Sequence, residues 1–375
     1  MEPVSGRRGI NDFVSAPSYV YSDDPHWVPP LKFERKGGLS SKHPFFQHAH
    51  WQPFVAYRDG RPVGRISAQV DTLFQERHDP SGAFFGCFES PPDEAVIDGL
   101  FDAAEDWARA QGCNRLLGPF NLGINQEVGV LVDGFYAPPC FLMGHGRPYY
   151  PCALQQRGYD EATRMLAYEL PIVFDTPPIM ASMLRYVSGR VTVRPLERKR
   201  LESELELLRD IFNDAWANNW MFVPWTSEEF QAVGREILML VPDDFLQIVE
   251  VDGEPAAFIV MIPNLNEVIG DLNGRLLPLG WVKLLWRLKV RYPTSGRVPL
   301  MGVRRRYQGS RLGAGLAMCC IDALREPSRL AGLRRAELSW ILEDNKGMRS
   351  ILEAIGARVT KTYAMFDKTL GEPVV

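Results

Sequence analysis

Histidine is missing from the second half of this 375-residue chain, and cysteine never occurs as Cys-x-x-Cys. All six histidines lie at or before His145. The six cysteines (Cys87, Cys113, Cys140, Cys152, Cys319, Cys320) sit mostly among apolar neighbours, where a cysteine acts as a small buried hydrophobe. His43, His48 and His50 cluster in Lys-His-Pro-Phe-Phe-Gln-His-Ala-His, but no His/Glu pair follows at ligand spacing, so no metal is expected. No apolar run approaches the ~20 residues that cross a bilayer. The start, Met-Glu-Pro-Val-Ser-Gly-Arg-Arg, has no apolar core behind it, so export is not expected and the expected location is cytoplasmic. Excess positive charge is lacking too. A formal net charge of −4 argues against nucleic acid as a partner.

What is present centres on Val298-Pro-Leu-Met-Gly-Val-Arg-Arg-Arg-Tyr-Gln-Gly-Ser-Arg-Leu-Gly-Ala-Gly-Leu316. An apolar run to Val303 reads as a strand. A basic, glycine-punctuated turn follows and opens into a helix over Leu312–Leu330. Strand, turn and helix N-terminus together aim free backbone N–H groups at an anion, and the helix dipole adds to the attraction. Gly309, Gly313 and Gly315 are expected to let a ligand come close, with Arg304, Arg305, Arg306 and Arg311 supplying charge. The stretch is a candidate pyrophosphate cradle. It is neither a P-loop, since no Gly-Lys-Ser/Thr follows, nor a Gly-x-Gly-x-x-Gly fingerprint.

Taken in order, residues 1–50 read as irregular covering structure with one short helix. A hairpin turns at Asp59-Gly60, the strongest short-range hairpin signal. A strand (Ala83–Glu89), a helix (Glu94–Gln111) ended by Gly112, and a strand (Arg115–Phe120) follow. After a segment dense in Gly, Asn and Pro come a short helix ended by Gly158 and a strand (Thr163–Pro171). The second half repeats the order: a hairpin at Asp252-Gly253, a strand to Val303, the helix ended by Gly332, a strand (Arg335–Leu342), a helix (Lys346–Ile355) ended by Gly356, and a strand (Val359–Lys368). Unequal offsets between the copies exclude a short-period solenoid. The expectation is a mixed α/β fold made of one domain type used twice, over residues 1–175 and 190–375.

Two further stretches carry chemistry. Phe212 to Thr226 gathers Trp216, Trp220 and Trp225 with Asn218 and Asn219. It reads either as the aromatic wall of an acceptor pocket (Asn219, Trp220, Trp225) or as a packed helix corner. Residues 279–291 form a basic amphipathic helix with Trp281, Leu284, Leu285 and Leu288 on one face and Lys283, Arg287 and Arg291 roughly opposite. Such a helix either packs on its own domain or lies on a membrane surface.

The second half resembles the Gcn5-related N-acetyltransferase (GNAT) family. The likeness rests on the strand and basic turn at 298–313, the helix after it, and Leu338-Ser-Trp-Ile-Leu-Glu-Asp-Asn-Lys-Gly-Met-Arg-Ser-Ile-Leu-Glu-Ala-Ile-Gly-Ala357. Asn345, Met348, Glu353, Gly356 and Ala357 fall in register with the family's strand, Asn, helix and glycine pattern. Arg311 stands where the family's turn usually has Gly, and Leu352 where its helix often has a Tyr acid. The first half resembles a GNAT domain whose cradle is replaced by Pro91-Pro92-Asp93. An inactive first copy before an active second is similar to the plan of protein N-myristoyltransferases, and bacterial ceramide synthases belong to the same GNAT-like group.

The resemblance implies an acyl-CoA-dependent N-acyltransferase. Acyl-CoA, or an acyl carrier's pantetheine, would lie on Gly302, Val303, Gln308, Gly309, Ser310, Arg311, Leu312 and Gly313. The oxyanion would meet a backbone N–H near Gly302 or Val303. The acceptor is an amine, so a base is needed: Glu267 is the first candidate and Glu337 the second. Tyr363 or Tyr307 would supply the acid, and Asn345 would fix the strand–helix junction. The leading expectation is transfer of a long acyl chain to a lipidic amine such as a sphingoid base, with peripheral membrane contact through 279–291. The rivals are acetyl transfer to a small molecule or peptide, and a non-catalytic acyl-CoA-binding protein.

Overall fold

A computed structural model describes residues 1–371 and groups them into two compact units interleaved along the chain. The first comprises Met1–Arg164, Ile269–Lys283 and the segment from Lys361 onward; the second comprises Met165–Val268 and Leu284–Thr360.

In the first unit the short edge strand β1 (Glu2–Pro3) pairs with β2 (Ala49–Arg58), followed in the sheet by β3 (Arg61–Asp71), β4 (Gly82–Glu89) and β5 (Arg115–Gly118). Off this path lie the two-stranded β6 (Phe120–Asn121) and β7 (Glu127–Val128), and β8 (Val130–Asp133). The expected hairpin turn is there: Asp59 and Gly60 both have positive φ (50° and 71°), the twist a two-residue turn needs. The helices of this unit are α1 (Gly6–Ser15), α2 (Pro17–Val20), α3 (Lys32–Gly38), α4 (Thr72–Arg77), α5 (Glu94–Ala110) and α6 (Tyr150–Gln156). α5 buries Val96, Ile97, Leu100, Phe101, Ala104 and Ala108, spaced to give one apolar face.

The N-terminal stretch departs from expectation. It carries three helices and a 3₁₀ turn at Pro44–Gln47, not one short helix. None of the three has a side-chain cap hydrogen bond, and their start signals are slight: Ser5 before α1 and Pro17 at the first position of α2. Tertiary contacts hold α1 instead: Phe13 is buried edge-on to Trp51 at 5.6 Å, with the Arg65 guanidinium 4.8 Å over its ring.

Two strands are shared between the units: β9 (Asp160–Pro171), most of which falls in the second, and β15 (Arg358–Thr369), most of which falls in the first. In the first unit β15 pairs with β5 from Phe366↔Gly118 to Thr369↔Arg115, and with β8. The second unit's sheet runs β9, β14 (Arg335–Leu342), β13 (Ser295–Val303), β12 (Glu254–Pro263), β11 (Leu246–Val251), β10 (Val191–Pro195). Among the described residues of this sheet only the β13/β14 pair is parallel. Its helices are α7 (Pro178–Val187), α8 (Leu201–Trp216), α9 (Ser227–Leu238), α10 (Asn266–Ile269), α12 (Arg311–Leu330) and α13 (Lys346–Ala354). α9 opens on a capping box between Thr226 and Glu229. The division between the units passes through α11 (Gly280–Val290). Among the described residues no helix is long and apolar enough to cross a membrane.

Candidate functional site

β13 and β14 pair only from Ser295↔Arg335 to Val298↔Leu338. β13 then runs on to Val303 and β14 to Leu342 without each other. Both strands are irregular at this level: β13 shifts its register with β12 between Arg297 and Leu300, and β14 shifts its register with β9 between Leu338 and Ile341. An irregularity of this kind bends a strand and raises its twist, which carries β14 off β13 while it stays paired to β9. The result is an opening with strand backbone along its β13 wall.

Which β13 groups face that opening follows from strand alternation. Arg304 N–H donates to Ala256 O, so from Leu300 onward the even-numbered positions face β12. Met301 O instead accepts from Trp216 Nε1 (3.2 Å) and Val303 O from Gln308 Nε2 (2.8 Å), so Met301 and Val303 face away from β12. In an antiparallel ladder a residue's N–H and C=O point the same way. The amide N–H groups of Met301 and Val303 therefore border the opening, and that of Gly302 does not. Trp216, stacked on Phe212 at 4.7 Å between centroids, puts an indole beside Met301.

The turn after β13 is built by its own contacts. The Gln308 amide donates to both Val303 O and Ala215 O, tying the turn to α8. Gly309 has φ +68°, and Ser310 caps α12 by accepting from Gly313 N–H (3.1 Å). A Cβ on Gly313 would lie 2.1 Å from Tyr307 O, so this glycine lets the turn close onto the helix. Gly315 faces Val187 of α7, where a Cβ would come within 2.5 Å; its role is helix packing and not approach to a ligand, which corrects the expectation above. Among the described residues, the N–H groups of Gly309, Arg311 and Leu312 have no backbone or side-chain acceptor.

The four arginines divide in two. Arg304 pairs with Asp210 (2.7 Å), and Arg305 with Asp214 through both its N–H (2.9 Å) and its Nε (3.0 Å). Asp214 is held below the usual carboxylate range because these bonds outweigh its burial. Arg306 and Arg311 make no ion pair among the described residues and rest on aromatic rings, Tyr307 (4.8 Å) and Tyr186 (4.3 Å). Open amides at a helix N-terminus beside two uncommitted guanidinium groups fit a pyrophosphate.

Where the strands begin to part lies a buried polar group. Arg297, 2% exposed, sits opposite Glu337 in the ladder. Its Nε donates to Ser339 Oγ (2.9 Å), which donates to Glu337 Oε1 (2.8 Å), and its guanidinium lies 4.6 Å over the Trp340 ring. Arg297 was absent from the sequence reading, which began the strand at Val298. Glu267 is placed elsewhere: its carboxylate accepts from Thr294 N–H (2.7 Å), Thr294 Oγ1 (3.0 Å) and Ser295 Oγ. From Ser295 to Met301 a strand spans roughly 20 Å, so Glu267 stands at the far end of β13 from the open amides. Asn345 caps α13 by accepting from Met348 N–H (3.0 Å). Tyr363 belongs to the first unit, wholly buried, its hydroxyl donating to Gly144 O (3.2 Å). Trp225 is buried edge-on to Phe230 (6.1 Å), and Asn219 contributes backbone bonds to Trp216 and Phe222.

The first unit contains the counterpart of this opening and fills it. β4 and β5 pair over three residues and then part. Phe120 takes the gap: a Cβ on Gly86 would lie 1.8 Å from Phe120 O, and Gln69 Nε2 donates to Phe120 O (2.7 Å) and Leu122 O (2.6 Å). Cys87 N–H is already taken by Asn121 Oδ1 (2.7 Å). At the N-terminus of α5 the anion position holds Asp93, which accepts from Val96 N–H and pairs with Arg58. Burial raises the Cys87 and Cys319 thiols to about 11, so neither is a thiolate at neutral pH. Among the described residues no three His, Cys, Asp or Glu side chains gather in metal-binding reach. His48 Nδ1 bonds Asp71 (3.0 Å) and His43 caps the 3₁₀ turn.

Protein YghO of Escherichia coli (strain K12) is 45% identical over 365 residues, 97% of this chain and 94% of its own length. Bacterial ceramide synthase of Caulobacter vibrioides (strain NA1000 / CB15N) is 42% identical over 371 residues, 98% of this chain and 97% of its own. A tandem GNAT protein from the clavulanic acid biosynthesis pathway superposes with a TM-score of 0.59 at 13% identity, covering 99% of this chain and 98% of its own. A GCN5-related N-acetyltransferase from Sphaerobacter thermophilus gives 0.53 at 11% identity over 98% and 95%. The chain belongs to the family of the first two, tandem GNAT-type N-acyltransferases. No family model matches it. The distant structures establish the tandem GNAT fold, into which both the open second unit and the filled first unit fit.

Proposed function

We propose that the chain moves a long acyl chain from coenzyme A to the amine of a lipidic acceptor, a sphingoid base being the specific form. The observation that carries the acyl-CoA part is the parting of β13 and β14 next to a turn with open amides and two uncommitted arginines. The acceptor class is suggested by the bacterial ceramide synthase, similar over nearly the whole chain. An acceptor of that kind is drawn from a bilayer, so peripheral membrane contact through residues 279–291 goes with this reading.

In this reading the pyrophosphate sits on the amides of Gly309, Arg311 and Leu312, with Arg306 and Arg311 over it. The pantetheine runs along Val303 and Met301. The amine attacks the thioester carbonyl, and the oxyanion that forms is met by Met301 N–H, an oriented donor bordering the opening. Glu337 is the base. The amine attacks in its neutral form, and Glu337 takes the proton from the attached nitrogen, which turns strongly acidic once the N–C bond forms, and passes it to the departing thiolate. Collapse breaks the C–S bond and releases coenzyme A with the amide.

The test is incubation of the purified protein with acetyl-CoA or palmitoyl-CoA and sphinganine or a mixed amine extract, read by mass spectrometry. An N-palmitoyl product of sphinganine supports the proposal. Product from acetyl-CoA alone moves the function to acetyl transfer, and absence of coenzyme A binding in calorimetry removes both enzymatic readings.

A further inference from the structure

The described residues include nineteen exposed large hydrophobic side chains, and seven of them fall between Leu277 and Val290. Scattered singly such residues need no explanation, but a contiguous patch marks a surface that meets something. The helix within that stretch does not bury the expected stripe. Leu284, Arg287 and Leu288 are its half-buried side, with Arg287 donating to Val268 O (2.7 Å). Trp281 and Leu285 turn to solvent, joined there by Val282, Trp286 (57% exposed) and Val290 (64%). No residue of α11 is fully buried. Leu277 (80% exposed) and Leu279 extend the patch along the preceding loop.

A second segment joins it. Lys32 N–H donates to Gly274 O (3.0 Å), so α3 begins beside this loop, and its Phe33 is 80% exposed. The charge around the apolar residues is of one sign. Residues 275–291 hold Arg275, Lys283, Arg287, Lys289 and Arg291 and no acid, in a chain of net charge −4. Lys283 is paired with Asp271, whereas Arg275, Lys289 and Arg291 are exposed and make no ion pair among the described residues. Burial, together with the charges of Arg275 and Lys36, pushes the Lys32 ammonium below its usual value, as expected where positive groups crowd.

We infer that the loop before α11, the solvent face of α11 and Phe33 of α3 form a docking surface for an anionic lipid bilayer. Tryptophans and aliphatic side chains on one face, rimmed by lysine and arginine, are what lies in the headgroup layer of a membrane, with basic residues drawing it to anionic lipid. A second copy of the chain would have to bring a matching acidic rim, since the basic rim repels itself across a two-fold axis. The inference stands on the patch and survives a water-soluble acceptor.

Flotation with vesicles tests it, using phosphatidylcholine alone and with one-third phosphatidylglycerol. The full chain is expected to float with the anionic vesicles and to bind neutral ones at least ten-fold more weakly. Trp286→Glu and Val290→Glu should each cut partitioning about ten-fold. Lys289→Ala with Arg291→Ala should cut it roughly twenty-fold at low salt, each charge near the surface being worth about five-fold. Because every altered side chain is exposed, the variants should keep the parent melting temperature and its turnover of water-dispersed short-chain acyl-CoA. No flotation with anionic vesicles, flotation unmoved by Trp286→Glu, or light scattering that shows the patch closed in a dimer would overturn the inference.

Discussion

Replacing Glu337 by Gln isolates proton transfer from nearly everything else at the site. Glutamine has the same shape and keeps an oxygen that accepts from Ser339 Oγ, now 2.8 Å from Glu337 Oε1. It cannot take a proton at neutral pH. A positioned general base contributes about 10²- to 10⁴-fold, which is roughly 2.7 to 5.4 kcal/mol on the barrier, so kcat should fall by at least a hundred-fold. The KM for acyl-CoA should stay within about three-fold, because the turn at 303–313 proposed to receive the pyrophosphate is separate from Glu337. Stability is the complication. Arg297 is 2% exposed and linked to Glu337 through Ser339, so neutralising the carboxylate should lower the melting temperature. Turnover is therefore measured well below the variant's own melting temperature, by release of free coenzyme A thiol, with coenzyme A affinity followed by calorimetry.

The companion variant is Glu267→Gln. Its carboxylate is bonded to Thr294 and Ser295, at the other end of β13 from Met301, so this change should lower the melting temperature and leave kcat within about five-fold. If Glu337→Gln binds coenzyme A normally and keeps kcat within five-fold of the parent, the assignment of Glu337 is refuted. If Glu267→Gln shows the hundred-fold loss instead, the base lies at the other end of the strand and the amine must approach from there.

Arg306→Ala and Arg311→Ala should each weaken coenzyme A binding about three-fold in calorimetry near physiological salt, the small effect expected of exposed charges. Titration of the parent should give one coenzyme A per chain, since Phe120, Asn121 and Asp93 fill the first unit's opening; a stoichiometry of two would contradict that account. Gly313→Ala puts a methyl 2.1 Å from Tyr307 O and should lower the melting temperature by roughly 5 °C while abolishing measurable coenzyme A affinity. His145 gives the pH dependence. Burial holds its ring below the ordinary imidazole value despite the bond to Asp24, so the folded state binds fewer protons than the unfolded. That contribution is present above about pH 6.5 and lost as pH falls through the lowered value. Melting temperature should therefore drop between pH 7 and pH 5.5, and His145→Gln should flatten the drop.

The hairpins, the two long helices and the basic turn were legible because each is set by local chemistry. Asp59-Gly60 and Asp252-Gly253 adopt positive φ, and the glycine-terminated helices end where the sequence says. What local chemistry could not supply was the meaning of the gap between strands. Both units part their parallel pair, and in sequence the difference between them is Pro91-Pro92-Asp93 after residue 89 against glycines after residue 303. The difference in structure is occupancy. In the first unit a backbone carbonyl, an asparagine amide and an aspartate occupy the counterparts of the positions proposed for a thioester and a phosphate in the second. In the second, Asp210 and Asp214 neutralise two arginines and leave two others, and among the described residues no side chain caps the first α12 amides except at Gly313. Arg297 escaped notice for the opposite reason. A lone arginine ahead of an apolar run reads as the end of a loop, and only the pairing of β13 with β14 brings it opposite Glu337.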